Sequence, residues 1–77
     1  MNFKENTPQI FAAYSKTNAV ILSCKTINQV EVATNYVNNL KRFVGQIKCV
    51  NNLQRDFLNN MTEAVDKNLK LRRKSLQ

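Results

Sequence analysis

Five carboxylates, two thiols and no imidazole are the whole inventory for acid–base, nucleophilic or metal chemistry in this 77-residue chain. A general acid–base pair needs two carboxylates converging in a cleft. Of Glu5, Glu31, Asp56, Glu63 and Asp66, only Glu63 and Asp66 stand one helical turn apart, and both fall beside lysines on the solvent face of a predicted helix. Helix surface charge accounts for them better than catalysis does. Without histidine, the commonest general base and the Ser-His and Cys-His nucleophile pairs are missing. Cys24 and Cys49 are far apart in the chain, whereas zinc sites use closely paired Cys and His ligands. Each lies among apolar residues ("VILSC", "IKCV") and reads as a small buried hydrophobe, with an opportunistic disulfide as the alternative. One glycine cannot build a phosphate-cradling loop. The expectation is a non-enzyme with no catalytic residue, cofactor, metal or small-molecule substrate.

The basic residues are more promising. The formal net charge is +7, spread along the chain as +2 over residues 1–25, +2 over 26–50 and +3 over 51–77. Positive charge favours acidic partners such as nucleic acid, anionic lipid or an acidic protein face. Near the C-terminal end, Glu63 precedes Lys67 and Asp66 precedes Lys70 by four residues, the favourable acid-first order on a helix. That arrangement leaves Arg72, Arg73 and Lys74 as surplus charge. Together with Arg55, Lys41, Arg42 and Lys48, they are the candidate contacts to phosphates or to an acidic partner. No Phe or Tyr is interleaved with Arg72, Arg73 and Lys74, so base stacking has no platform there. Asn28 and Gln29 at a helix start suit adenine readers of a helix-turn-helix, but the turn before them lacks the usual glycine. Asn28, Asn35 and Asn39 share a polar helix face suited to hydrogen-bonding a protein partner; the bland reading of the asparagines is an AT-rich coding sequence.

Three helices would position these residues. One Gly and one Pro supply too few turns for a sandwich or barrel. The first helix is predicted over 8–24, with Thr7 as cap, Pro8 at the first position, and Ile10, Ala13, Tyr14, Thr17, Val20, Ile21 and Cys24 as its apolar stripe. The rival reading makes 19–24 a strand paired with 46–50 in a βαβ unit. The second helix, 27–44, opens on the capping box Thr26-Ile27-Asn28-Gln29 and carries Val30, Ala33, Val37, Leu40, Val44 and Ile47. Val32, Tyr36 and Phe43 widen that face to roughly 160° at about 100° per residue. Gly45 suits a left-handed stop. The third helix, 52–73, places Leu53, Phe57, Met61, Ala64 and Leu71 on one side, broadened by Leu58, Val65 and Leu69. Because the stripes almost keep register from Phe43 to Leu71, the second and third helices also read as one long rod.

The fold class is therefore all-α, a small three-helix bundle in one domain over 1–77, with 1–6 and 75–77 as loose ends. A core this small is marginal, and its wide apolar faces predict completion by a second copy or another protein. No apolar run is long enough to span a membrane, and "MNFKENTPQ" has no apolar signal region. A cytoplasmic setting is expected, and the Asn60-Met61-Thr62 sequon is read as incidental. Membrane-surface binding is disfavoured, because the apolar faces are needed for the core.

The stretch "AVILSCKTINQVEVATNYVNNL" (19–40) resembles a pattern in short uncharacterised bacteriophage proteins, where an apolar helix end and Ser-Cys-x-Thr lead to a Gln that opens an amphipathic helix. The resemblance implies a phage or mobile-element origin, and hence host cytoplasm or virion, but no activity and no site residue. The functional expectation is a protein-binding protein, either a minor assembly component or an inhibitor of a host factor. Sequence-nonspecific nucleic-acid binding is the alternative.

Overall fold

The computed structural model describes residues 2–77. A single 3-10 turn, Lys4–Asn6, leads into α1 (Thr7–Ser23), α2 (Ile27–Gly45) and α3 (Asn52–Ser75), and each helix packs on the other two. The 24 residues of α3 rise about 36 Å at 1.5 Å each, which accounts for most of the 41 Å long axis. Short connections make α2 antiparallel to both neighbours. The pairs Phe11–Phe57, Asn18–Asn68 and Cys24–Arg72 advance in the same direction, so α1 and α3 run parallel.

Helix α1 begins differently from expectation. Thr7 is its first residue and not its cap: the Thr7 hydroxyl donates back to the carbonyls of Phe3 and Lys4, at 3.0 and 3.3 Å. Residues 19–23 are helical, so the βαβ alternative falls. The one pairing made by 46–50 is a lone parallel bridge between Lys48 and Asn2. Thr17 is buried, and its hydroxyl donates to the Ala13 carbonyl at 2.7 Å, which offsets the cost of removing it from water.

Helix α2 follows its sequence closely. Thr26 Oγ1 accepts from the Gln29 amide at 3.2 Å, and Gln29 Oε1 accepts from the Lys25 amide at 2.6 Å. All six residues of the expected stripe, Val30 to Ile47, are buried, whereas Val32 is left 54% exposed. Gly45 corrects one expectation: it keeps right-handed helical geometry, and no glycine among the described residues has positive φ. The helix stops instead as Gln46 and Ile47 tighten, their amides donating to the carbonyls of Phe43 and Val44 at 3.1 Å.

The chain breaks at 46–51, so α2 and α3 are not one rod. Asn51 Oδ1 accepts from the Gln54 amide at 2.9 Å, and Gln54 Oε1 accepts from the Val50 amide at 3.0 Å, repeating the device that opens α2. The buried line of α3 is Leu58, Met61, Val65 and Leu69, continued by half-buried Arg72 and Leu76. Leu53 and Leu71, assigned to the core from their spacing, are 79% and 56% exposed. The break frees α3 from the register of α2, and its phase is then set by lodging Leu58 and Val65 between α1 and α2.

The ends are also corrected. Asn2 Oδ1 accepts from the Lys4 amide, the Phe3 amide donates to the Lys48 carbonyl at 3.2 Å, and the Phe3 ring meets Phe57 edge to face at 6.0 Å. Residues 2–6 are thus docked on the bundle; Met1, also assigned to a loose end, lies outside the described residues. Leu76 packs against the core, so 75–77 do not hang free.

The core itself is aliphatic. Its largest fully buried side chains are Ile10, Ile21, Ile47 and Leu58. All six aromatic residues stand outside it, half-buried or exposed.

Candidate interaction surfaces

The structure disperses the expected basic cluster. Arg72 turns inward along the core line of α3, where its guanidinium donates from Nε at 2.9 Å and from Nη2 at 2.5 Å to the carbonyl of Cys24. That carbonyl belongs to the end of α1, where the last helical C=O groups lack intrahelical partners. Arg73 pairs with Glu31 at 2.6 Å and donates to Thr34 Oγ1 at 3.4 Å. So two of the three surplus bases bind α3 to the end of α1 and the first turns of α2, and among the described residues only Lys74 is unengaged. Lys41 reaches across to Asp66 at 2.7 Å, which takes Asp66 from its expected partner Lys70. Arg42, Lys48 and Arg55 are exposed and lie around the end of α2 and the start of α3. That is the opposite end of the molecule from Arg72, Arg73 and Lys74. The seven residues form no single track.

The polar face of α2 is present as a surface. Asn28, Asn35 and Asn39 are all exposed, with Val32 among them, and Glu31 at its edge is held by Arg73. Asn39 also borders a cleft of about 290 Å³ between α1 and α2, where Lys16 Nζ lies 5.8 Å from the Tyr36 ring centroid.

A surface that the sequence did not announce lies between α1 and α3. Phe11, Tyr14, Ser15, Phe57, Asn60, Met61 and Ala64 line a cleft of about 420 Å³. The Phe11 and Phe57 rings meet edge to face at 5.9 Å, yet Phe11 remains 50% and Phe57 41% exposed. Further up the same seam, Asn68 Nδ2 donates to Asn18 Oδ1 at 3.2 Å, and Leu22 and Leu71 flank a second hollow of about 280 Å³. Among the described residues the only charged side chain lining either hollow is Arg72, already committed to Cys24. The signal for this seam was the spacing Leu53, Phe57, Ala64, Leu71 on α3, which is apolar, helical in period and not part of the core.

Cys24 is buried and Cys49 half-buried, both as free thiols. Among the described residues no three thiol or carboxylate side chains gather as metal ligands, and no helix is long and apolar enough to cross a membrane. Fold and surface together describe a three-helix bundle with an uncharged, aromatic-lined seam between two parallel helices. The chain matches no family model, no curated protein and no solved structure.

Proposed function

We propose that this protein works without catalysis, by docking protein surface into the seam between α1 and α3. The observation that carries the reading is the placement of the aromatics. Aromatic side chains bring the largest apolar area to a core or an interface, and Phe11 and Phe57 spend theirs beside an uncharged cleft. Interface centres are enriched in aromatics and depleted in charge. In this reading the protein is phage- or mobile-element-encoded, as the resemblance over 19–40 implies. It acts in the host cytoplasm or virion, as a minor assembly component or an inhibitor of a host factor.

The test is a photo-crosslinking amino acid at Ser15, which is exposed and lines the seam. Protein adducts formed in the producing cell support the reading, and loss of those adducts on Phe57→Glu ties them to the cleft. Absence of any protein adduct removes it.

The net charge of +7 supports nucleic-acid binding as the second reading, with Arg42, Lys48, Arg55 and Lys74 unpaired among the described residues. Retention on immobilised DNA would fall steeply with salt. No retention at about 50 mM salt, where phosphate contacts are strong, eliminates this alternative.

A further inference from the structure

The seam has a direction. Phe11 and Phe57 mark its lower end, near the α2–α3 connection, and Leu22 and Leu71 project from its upper end, 70% and 56% exposed. Between them lie the small Ser15 and the hydrogen-bonded pair Asn18–Asn68. Along the solvent edge of α3 beside the seam, Asp56, Glu63, Lys67 and Lys74 are seven, four and seven residues apart and therefore fall in one stripe. Its lower half is acidic and its upper half basic. None of these four has an ion-pair partner among the described residues.

We propose that the occupant of the seam is a second copy of this chain, in a twofold antiparallel dimer. The proposal rests on the docking reading above and names the partner. In a closed twofold interface the same patch serves both copies, so each feature must find its complement elsewhere on that patch. Antiparallel pairing meets this condition twice. It sets Leu22 and Leu71 of each copy over the Phe11–Phe57 cleft of the other. It also sets the acidic half of one α3 edge over the basic half of its mate. A parallel pairing, with its twofold axis along the seam, would set α3 of one copy over α1 of the other and leave the acidic and basic halves of this stripe unmatched. Two molecules of charge +7 repel at long range, and the uncharged seam lets them approach closely without setting like charges together. The 17 residues of α1 span about 25 Å, and two packed helices are roughly 19 Å across. Taken flat, such a strip is about 475 Å² per partner, toward the low end of interface sizes, where association is weak and concentration-dependent.

Sedimentation equilibrium of the full chain decides the matter. The expected result is a concentration-dependent rise from 8.9 kDa toward twice that mass. Leu22→Glu with Leu71→Glu should weaken association at least roughly tenfold, while thermal melting by circular dichroism shows that the fold survives, both positions being exposed. Glu63→Lys should also weaken the dimer, and adding Lys67→Glu should restore it, because the exchanged pair meets again across the twofold axis. A monomer at every concentration overturns the proposal, as does a dimer indifferent to the leucine changes or a charge swap that fails to rescue. A monomeric chain whose Ser15 probe labels a different protein overturns the dimer alone and leaves the docking reading standing. A monomer with no adduct removes both.

Discussion

The side chain of Arg72 ties α3 to the end of α1. Counted as charge, it was surplus to its helix; in place, its fork of N–H groups satisfies a carbonyl at the end of α1, 48 residues away. Removing one partner of such a bond leaves the buried acceptor to bear its full desolvation cost, about 1–3 kcal/mol. Arg72→Ala should therefore lower stability by that amount, read as a shift in the urea midpoint. Lys74→Ala, at an exposed position without a partner, should stay within about 0.5 kcal/mol of the parent. The Arg73–Glu31 pair falls between them: both side chains are more than a third exposed, so water screens the pair to roughly 0.2–1 kcal/mol.

The helices were legible to different degrees, and the reasons are physical. Helix α2 carries a capping box and a single unbroken stripe, so its start, its buried face and its partnering all follow from local spacing. Helix α3 has leucines on two adjacent faces, and periodicity cannot say which face meets a neighbour. The answer came from packing, which buries Leu58 and Leu69 and leaves Leu53 and Leu71 in water. The same gap hides the seam: spacing marks Phe57 and Ala64 as apolar but cannot separate a groove-lining face from the core. The basic residues were all visible too, while their partners, 42 and 48 residues away, were not. Gly45 gives a prediction at this scale. It holds helical geometry, and a Cβ placed there would meet nothing within 4 Å. Gly45→Ala should raise stability by roughly 0.5–1 kcal/mol by lowering the entropy of the unfolded chain, as a higher thermal midpoint would show. A left-handed stop would instead have made the same change destabilising.

Across the whole molecule, twelve bases face five acids, and only two ion pairs form among the described residues. Net self-repulsion then outweighs specific attraction, and it acts over distances that salt screens. Raising sodium chloride from about 10 to about 150 mM, which shortens the screening length from about 30 to about 8 Å, should raise the thermal midpoint. A midpoint that falls over this range would mean that the Lys41–Asp66 and Arg73–Glu31 pairs dominate. The experiment belongs at fixed protein concentration, since association also stabilises the fold by mass action.

The exclusion of every aromatic from the core gives the protein an optical property. It has no tryptophan and two tyrosines; Tyr14 borders the α1–α3 cleft and Tyr36 the α1–α2 cleft. Near-ultraviolet emission therefore originates at the two grooves and not at the packed centre. With Tyr36→Phe, the remaining phenol becomes an unlabelled reporter whose intensity and quenching by iodide register what enters the seam.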